Sequence, residues 1–440
     1  MAKVQGVKTL IPGSCFILIA IKSGKLSILV AEMAQRKILI LTNRIPYPLK
    51  DGGNLAMNAM IEGYQRSGWA VYLLAMNTSR HFIEQGLLKK LFTRLFAFEW
   101  VDVDNRLKIA DIIRNYFFSK EPEHAKRFSN EAFREKLKNV LTSFKPDVVQ
   151  VESVYLSTYL PVIHQYSPAV TVLRMHNVEY QIWHGLANKH TNPVKRIYFN
   201  SLTKRIRDFE RGAWKKYDLL LPITEKDAQL VGRLEDVNNM VVIPFSIDIE
   251  KIKAANNEKW VGYHIGAMDW IANREGIRWF LEKAWPKIHQ AEPGFEFYFA
   301  GRHMPEEFKK LNIDGVHCVA EVPDADAFIA DKKILIVPLW SGGGIRVKIL
   351  EAMAAGKVVI TTTYGIKGIE ARQGVHYLLA RKPDDFTRGV KWCLDNKPAA
   401  EEMARKAQQL IMENYESGKI IKRVTNEIES LLAGKQERDV

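Results

Sequence analysis

Short apolar runs alternate with longer amphipathic stretches along most of this chain. From Lys37 the run KILILT is continuously apolar, which is typical of a strand buried on both faces of a parallel sheet. A turn rich in proline and glycine follows, then the helical pattern NLAMNAMIEGYQRSG and a second apolar run, WAVYLLAM. This order predicts a β-loop-α-β unit with the right-handed crossover that parallel strands favour.

The alternation continues in two series. The first series predicts strands at DVVQVE, VTVLRMH and DLLLPIT. The second predicts strands at WVGYHIGAM, FEFYFAG, GVHCVA, KILIVPL, KVVITT and VHYLLA. The stretch between the second strand and Asp147 is predicted to be mostly helical. The fold class is therefore α/β, with two Rossmann-like doubly wound domains that face each other across a cleft.

The polar segment IEKIKAANNEK lies between the two series and marks the joint between domains. A chain of 440 residues is too long for one ordinary core. We predict an N-terminal domain at residues 36–245 and a C-terminal domain at residues 246–440, with the return of the last helix to the N-terminal domain left open. Residues 1–35 are interpreted as a poorly ordered leader or a membrane-surface segment, because their apolar run is shorter than the ~20 residues of a membrane span.

The charge balance of 64 basic against 50 acidic residues gives a net charge of +14. This surplus favours a polyanion or an anionic membrane surface as partner but does not choose between them. Cys15, Cys318 and Cys393 lie too far apart in sequence to indicate a disulfide framework or the spacing of a zinc site. The cysteine usage fits a reducing cytosol.

The stretch VPLWSGGGIRVKILEAMAAGKVVIT places a basic, glycine-rich turn between a predicted strand and a predicted helix. Glycines let the backbone approach a bulky anion, and a helix N-terminus offers it N–H groups and partial positive charge. Arg346 and Lys348 add full charges beside that position. Glu351, about one turn further on, suits a sugar diol, which can donate to both its oxygens. Diphosphate beside ribose describes a nucleotide; a helix start with a solvated charged face is the alternative.

Together with GAMDWIANREGIRWFLEKAWPKI and RMHNVEYQIW, this stretch makes the chain resemble a family 4 (group 1) glycosyltransferase of the GT-B fold, retaining and metal-independent. The resemblance runs from about Lys37 to the end of the sequence. It implies that the N-terminal domain binds the acceptor and the C-terminal domain binds a nucleotide-diphosphate sugar, which is a co-substrate, so that no cofactor is expected. It also implies that Arg346 and Lys348 hold the diphosphate and Glu351 holds the ribose.

One position departs from the family pattern. The family usually has two glutamates spaced E-x7-E, whereas Gly343 stands at the first position here and only the second, Glu351, is present. The resemblance implies that backbone N–H groups around Gly343 and Gly344 replace the missing carboxylate. The identity of the donor sugar is left open by this departure.

Further loops after predicted strands supply more candidates. Gly266 permits close backbone approach, and Asp269 could orient the next helix while Asn273 and Arg274 reach into the cleft; turn and cap roles for Asp269 and Asn273 are the alternative. Arg302 is a candidate contact to a phosphate or a base. His176 ends a predicted strand; by resemblance it lies beside the reacting sugar, with Glu179 fixing its tautomer or capping a helix, and a satisfied structural histidine is the alternative. By resemblance, Val322 and its neighbours face the nucleotide base.

Gly52 and Gly53 begin the first predicted helix, and the resemblance implies that their loop closes over the acceptor and the donor phosphates. The spacing G-x-G-x-x-G is absent and no acidic residue ends the second strand, which argues against a nicotinamide-dependent dehydrogenase. Two D-x-D triplets, at 102–104 and 324–326, match the metal-binding pair of other transferases, but charged cap residues explain both. No metal site is predicted.

Two stretches combine basic and aromatic residues, LLKKLFTRLFAF and KRIYFNSLTKRIRDFERGAWKK. Amphipathic basic helices there would suit an anionic membrane, while aromatic side chains that enter the core are the alternative. No nucleic-acid-binding motif occurs, so nucleic acid is not expected as a partner. The predicted location is cytoplasmic, with peripheral attachment to the inner face of the cell membrane left open.

The predicted function is transfer of a hexose-like sugar from a nucleotide-diphosphate sugar to a hydroxyl acceptor, in the synthesis of a glycan, polysaccharide or lipopolysaccharide. A nucleotide-sugar 2-epimerase on the same scaffold is one alternative, although that chemistry needs acid/base carboxylates around the sugar and few are offered. A non-catalytic basic protein that binds membrane or nucleic acid is the other. The base, the donor sugar, the acceptor and the oligomeric state are not fixed by the sequence.

Overall fold

Two six-stranded parallel sheets form the framework of the computed structural model. The structure describes residues 15–22, 25–32, 35–49, 52–106, 115, 119, 121–189, 192–252, 259–342 and 344–436. Each sheet carries helices on both faces, so the predicted α/β class with two doubly wound units is confirmed.

The first sheet has the strand order β5-β4-β3-β6-β7-β8. Its strands are β3 (Lys37–Thr42), β4 (Ala70–Thr78), β5 (Ala97–Val103), β6 (Val148–Val151), β7 (Val170–Met175) and β8 (Leu219–Pro222). Its helices are α1 (Gly52–Arg66), α2 (Gln85–Leu88), α3 (Glu123–Lys126), α4 (Glu131–Phe144), α5 (Leu160–Tyr166), α6 (Glu179–Lys189), α7 (Pro193–Trp214) and α8 (Glu225–Leu234). Short 3-10 turns lie at Ser79–His81 and Val154–Tyr159.

One sequence expectation for this half is wrong. The amphipathic helix expected within 87–98 ends at Leu88, and β5 begins at Ala97. This strand pairs with β4 at the edge of the sheet, and Phe98 packs against Phe92 and Trp100. Because acidic residues interrupt the apolar pattern of an edge strand, the run did not resemble the buried strands.

The second sheet has the order β11-β10-β9-β12-β13-β14. Its strands are β9 (Lys259–Ile265), β10 (Phe297–Ala300), β11 (Val316–Ala320), β12 (Lys332–Val337), β13 (Val358–Thr361) and β14 (Leu378–Leu379). Its helices are α9 (Ile271–Trp279), α10 (Trp285–Ala291), α11 (Glu306–Lys309), α12 (Ala325–Ala330), α13 (Val347–Ala354), α14 (Pro383–Asp395) and α15 (Lys397–Asn414). A π-helical turn at Phe280–Ala284 joins α9 to α10.

The last helix, α16 (Ser417–Gln436), returns to the first sheet. Its residues Ile420, Ile421, Val424 and Ile428 are buried in the same core cluster as Ile38 of β3. Two ion pairs flank this contact, Arg36 with Glu429 at 2.7 Å and Lys435 with Asp218 at 3.2 Å. The first half of the fold is thus completed by a helix from the other end of the chain.

A separate two-stranded antiparallel sheet precedes this framework. It consists of β1 (Cys15–Lys22) and β2 (Lys25–Glu32), which pair with each other. Residues 1–14, 23–24 and 33–34, which belong to the expected leader at 1–35, lie outside the described residues. The interpretation of that leader stays a prediction.

Candidate active site

The glycine-rich turn connects the carboxyl end of β12 to α13. Gly342 has a φ of +100° and Gly344 a φ of +77°, conformations that favour glycine. A Cβ on Gly342 would lie 2.9 Å from the Trp270 ring and 3.0 Å from Arg346 Nη2. Gly343, a predicted site residue, lies outside the described residues. The turn therefore depends on glycine both for its backbone conformation and for the close approach of the indole.

Arg346 lies at the start of α13 and is only 5% exposed. Its Nη1 donates to the Gly344 carbonyl oxygen at 2.8 Å, and its guanidinium carbon lies 4.9 Å from the centroid of the Trp270 ring. Burial lowers the pKa of Arg346 to about 10, so the side chain keeps its charge at neutral pH. The turn thus holds a fixed, partly desolvated cation next to the helix N-terminus, where anions are favoured.

Lys348 lies two residues further on and has two neutral partners. Its Nζ is 3.2 Å from His264 Nε2 and donates to Asn273 Oδ1 at 3.1 Å. His264 Nδ1 donates to the Ile336 carbonyl oxygen at 2.8 Å, which leaves Nε2 to accept from the lysine. Burial, reinforced by the charge of Arg346, lowers the pKa of Lys348 to about 7.

His264 was not among the sequence-predicted residues. It is fully buried in β9, and burial together with the Lys348 charge lowers its pKa well below the usual value, so that its ring is neutral. No loop or spacing signal distinguishes a histidine inside an apolar strand. Only the pairing of β9 with β12 brings it to the start of α13.

The loop after β9 places one predicted glycine directly at Lys348. A Cβ on Gly266 would lie 2.4 Å from Lys348 Nζ and 2.7 Å from Asn273 Nδ2, so a larger residue there would require these side-chain ends to move. Asp269 is exposed and its Oδ2 lies 4.0 Å from His303 Nε2. The carbonyl oxygen of Arg302, whose residue is half-buried, accepts from Met268 N–H at 2.8 Å. These contacts join the loops after β9 and β10.

Glu351 follows one turn later on α13 and lines a cavity of about 730 Å³. The residue is exposed where it borders this cavity. Desolvation by the surrounding protein raises the pKa of Glu351, and the charge of Asp326 raises it further. The charge of Lys348 opposes this shift. Arg346 and Lys348 do not line this cavity.

The cavity lies between the two halves of the molecule. It runs between the faces of α1 and α13, along the connecting segment at 245–252 and the start of α16. Its lining near Glu351 includes Ile265, Asp326 and Val347. Val322, predicted to face a base, packs partly buried against the adjacent core. The space could hold a ligand with one end at the basic turn.

The N-terminus of α1 faces the basic turn across the cleft. A Cβ on Gly52 would lie 3.7 Å from Val347 Cγ2 and 3.9 Å from the Ile345 carbonyl oxygen. Gly53 follows it in the first turn of the same helix. From the far end of the first sheet, Thr224 lies close to Gly368, whose Cβ would be 3.6 Å from it. Loops of both halves therefore converge on the start of α13.

His176 lies just past the end of β7, where a buried polar network holds it. Its Nε2 is 2.8 Å from Glu152 Oε2, and the same oxygen lies 3.9 Å from Arg174 Nε. Glu152 is completely buried and also accepts from Gln150 Nε2, while Tyr64 OH donates to Gln150 Oε1 at 2.6 Å. Since an ionised Glu152 can only accept, His176 Nε2 carries the proton and Nδ1 is the acceptor.

Glu179 does not contact His176 through this network. It accepts from Tyr155 OH at 3.1 Å, and burial raises its pKa. The carboxylate that caps α6 is instead Glu210, which accepts from the backbone N–H groups of Glu179 and Tyr180 at 2.8 and 2.9 Å. Burial raises the pKa of Glu210 to about 8. Glu152, which the sequence did not single out, is the residue placed to fix the His176 tautomer.

The two D-x-D triplets have local partners. Asp324 caps α12 by accepting from the N–H groups of Asp326 and Ala327, Asp104 binds Arg106, and Asp102 accepts from Asn77 Nδ2 at 2.8 Å. Across the part of the chain that the structure describes, no group of three or more His, Cys, Asp or Glu side chains is placed to hold a metal. Nor does any described helix combine the length and apolarity that a bilayer crossing needs.

Comparison with known families gives one match that covers the basic turn. Residues 260–396 match the family described as Glycosyl transferases group 1. A Klebsiella pneumoniae protein described as an uncharacterized 44.6 kDa protein in cps region is 23% identical over 411 residues, covering 89% of this chain and 99% of that protein. The family match covers nearly all of β9 and the whole of β12 and α13.

Solved structures similar to the whole chain are glycosyltransferases. Sucrose-phosphate synthase from Thermosynechococcus elongatus has a TM-score of 0.64 at 12% identity, over 91% of this chain and 100% of that one. HepE of Anabaena in complex with UDP-glucose has a TM-score of 0.60 at 12% identity, over 90% and 99%. S. aureus TarM with UDP and alpha-GlcNAc-glycerol has a TM-score of 0.59 at 12% identity, over 90% and 100%. The predicted resemblance to group 1 glycosyltransferases with a GT-B fold is confirmed.

Proposed function

We propose that this protein moves a hexose-like sugar from a nucleotide-diphosphate sugar to a hydroxyl acceptor. The proposal starts from the match of residues 260–396 to the group 1 glycosyltransferases and from the GT-B fold of the chain. The proposal includes retention of the anomeric configuration and independence from a divalent metal. The observation that carries it is the turn at 341–348, where the buried Arg346, the half-buried Lys348 and a helix N-terminus converge beside an interdomain cavity.

The diphosphate would lie against this turn. Arg346 offers a forked donor and Lys348 a point charge, and both are partly desolvated, which strengthens their attraction for a phosphoryl oxygen. Glu351 lines the cavity about one helical turn away, where a ribose attached to the diphosphate would place its two hydroxyls. The base would then extend toward Val322, and the glycine backbone around 342–344 would contact the sugar.

Transfer would break the bond between the anomeric carbon and the diphosphate oxygen. The acceptor hydroxyl oxygen would bond to that carbon from the same face, and its proton would pass to the departing diphosphate. Arg346 and Lys348 would stabilise the charge that grows on the leaving group, which is the form of catalysis that preorganised cations supply. This route needs no carboxylate nucleophile and no metal at the diphosphate.

His176 would orient the transferred sugar. Its Nε2–H is held by Glu152, so Nδ1 is left as an acceptor for a sugar hydroxyl. The relation to a Klebsiella protein of a cps region supports a glycan, polysaccharide or lipopolysaccharide product, and the UDP complexes of HepE and TarM support a nucleoside-diphosphate donor.

The test has two stages. A panel of nucleotide sugars is first screened by thermal shift, since a ligand bound only by the folded state raises the melting temperature. The best donor is then incubated with glycan and lipid-linked acceptors, with and without EDTA, and the product's anomeric configuration is determined by NMR. Release of nucleoside diphosphate with an α-linked product from an α-linked donor supports the proposal.

Two results would count against it. Conversion of the donor to its 2-epimer without any acceptor would identify an epimerase. Tight binding of nucleotide with no transfer to any acceptor would identify a binding protein. Activity that EDTA abolishes and a divalent metal restores would contradict metal independence alone.

We also propose that the protein works in the cytoplasm against the inner membrane face. The helical hairpin of α6 and α7 exposes Ile182, Leu186 and Ile197, the last at 66%, together with the basic Arg196 and Lys204. Apolar and cationic side chains on one exposed hairpin suit an interface rich in anionic lipid. Co-flotation with vesicles containing phosphatidylglycerol, lost on I197D substitution, is the expected result; flotation equal to that with neutral vesicles would contradict it.

A further inference from the structure

Among the residues that the structure describes, Lys348 is a partly enclosed cation without an anionic partner. Its Nζ contacts His264 Nε2 at 3.2 Å and Asn273 Oδ1 at 3.1 Å, both uncharged acceptors. Within the described residues, no carboxylate lies within ion-pair distance of this ammonium; Glu351 acts on it only from further along the helix. A cation enclosed by neutral acceptors is costly, and the cost is relieved by losing a proton or by gaining an anion.

The partners of Lys348 are themselves fixed. His264 is fully buried and its Nδ1–H is engaged by the Ile336 carbonyl oxygen at 2.8 Å, so its Nε2 can act only as an acceptor toward the lysine. Asn273 is 3% exposed, and its Nδ2 donates to the Ala267 carbonyl oxygen at 2.8 Å, which turns Oδ1 toward Nζ. Two acceptors on β9 and α9 therefore hold the amine beside Gly266, in the loop after β9.

We propose that His264 and Asn273 are positioning residues that hold Lys348 as an exchangeable amine, so that binding of the donor diphosphate takes up a proton. This inference rests on the proposed function, because it assumes that the diphosphate lies at this turn. The anion would replace the missing counter-charge and convert the lysine fully to its ammonium form. Protonation and donor capture would then be one coupled event.

The charged groups around Lys348 set the pH window. Arg346 on the same turn keeps its charge through this range, because its pKa lies near 10, and His264 stays neutral. Glu351, on the same helix, favours the ammonium through its carboxylate charge, while Asp326 behind it raises the pKa of Glu351. The pKa of Lys348 is near 7 without donor, so donor affinity is expected to be constant below pH 7 and to fall about tenfold per pH unit above it.

The experiment is isothermal titration calorimetry with UDP-glucose, or with the donor that the thermal-shift panel selects. A nucleotide sugar has no phosphate that titrates near neutral pH, so proton uptake reports on the protein. Titrations in PIPES, HEPES and Tris, which differ in ionisation enthalpy, should give an uptake of about half a proton at pH 7 and nearly one at pH 8 for the wild type.

Four substitutions at three residues separate the roles. Lys348→Arg keeps the cation but cannot deprotonate, so uptake should vanish while the donor still binds. Asn273→Asp supplies a carboxylate partner, so uptake should vanish and affinity should fall. His264→Leu should weaken donor binding about tenfold or more, because an acceptor to a charged group is lost, whereas His264→Gln, whose Oε1 can replace Nε2, should restore most of the affinity.

The matched control is Lys309→Arg, an exposed lysine paired with Glu306, which should leave uptake and affinity as in the wild type. Thermal unfolding of every variant identifies one that fails to fold, and the Lys348→Arg result decides the matter even if His264→Leu does not fold. Donor binding without proton uptake, or equal uptake by Lys348→Arg, would overturn this inference and leave the proposed function intact. Failure of every nucleotide sugar to bind would overturn both.

Discussion

Arg346 and Lys348 are two residues apart but are held in different ways. The guanidinium of Arg346 stacks on Trp270 and donates to the glycine turn itself, so its position and charge are fixed. The amine of Lys348 is held by neutral groups from β9 and α9. One cation is therefore part of the turn, whereas the other is presented to it by the neighbouring strand and helix.

Replacing Arg346 tests the fixed cation. Arg346→Ala should lower kcat by about a hundred- to a thousandfold, the usual cost of removing one preorganised charge-stabilising group. Arg346→Lys should recover part of this loss, because the charge is kept and the fork is not. Steady-state rates of nucleoside diphosphate release measure both, with the exposed Arg405→Ala on α15 as control. Full turnover by Arg346→Ala would show that the leaving group lies elsewhere.

The Glu152 carboxylate contacts two residues, the buried Arg174 and the partly exposed His176. Arg174 and Glu152 are 1% and 0% exposed, so each depends on the other for charge compensation. His176, at 21% exposed, takes the remaining contact with the same oxygen. Burial lowers the pKa of Arg174, and the Glu152 charge opposes that shift.

Glu152→Gln should therefore be costly to stability as well as to activity. It leaves the Arg174 cation uncompensated, which is expected to cost about 3 kcal/mol in the free energy of unfolding. His176→Gln removes only the partly exposed partner and should reduce transfer while changing stability by less than about 1 kcal/mol. Urea titrations followed by fluorescence measure both values. Equal stability of the two variants would show that Arg174 does not rely on Glu152.

Sequence predicted some of these residues and not others, for a physical reason. Arg346, Lys348 and Glu351 stand at fixed spacings after a glycine run, so their place at the start of one helix could be anticipated. His264 and Glu152 lie in or at the end of apolar strands, and their partners come from other segments. Such pairs depend on strand order and register, which single-sequence patterns do not encode.

At the scale of elements, buried strands were predictable and the edge strand was not. β3, β4 and β7 are mostly apolar because both faces are covered. β5 is half-buried, and its Glu99 binds Tyr72 and Lys136 through side chains that only the folded sheet brings together. Contacts between helices could not be predicted from the sequence pattern either. The approach of α16 to Gly63 in α1 is an example.

Gly63 marks the closest approach of α1 and α16. A Cβ there would lie 2.8 Å from Ile421 Cγ1 and 3.1 Å from its Cβ, so Gly63→Ala should push the helices apart and cost about 1–3 kcal/mol. Gly185 in α6 has nothing within 4 Å of the same position, so Gly185→Ala should be neutral or stabilise by up to about 1 kcal/mol. Chemical denaturation compares them; a Gly63→Ala protein as stable as wild type would show that the helices adjust without strain.

At the scale of the whole molecule, α16 ties the two halves together. It leaves the second half at Ser417 and buries four aliphatic side chains against the first sheet. The ion pairs at its flanks are partly exposed and add little, so the apolar contact carries the attachment. The cavity beside the basic turn is bounded by the start of this helix.

Weakening this contact should loosen a sheet far away in sequence. Val424→Ala combined with Ile428→Ala removes buried methyl groups and should cost about 3–6 kcal/mol in all. Hydrogen exchange of amides in β3 should then accelerate, because both residues share its core. Lys422→Ala on the exposed face of α16 is the matched control. Unchanged protection in β3 would show that the first sheet is stable without the helix.

The path of α16 also bears on how the protein is made. During synthesis the strands of the first sheet emerge long before residues 420–428, yet those residues fill its apolar face. Until then the nascent N-terminal half exposes apolar surface on β3 and β6, which α16 covers in the mature molecule. This half is therefore expected to engage a ribosome-associated chaperone and to reach its stable form only after the second sheet has been translated.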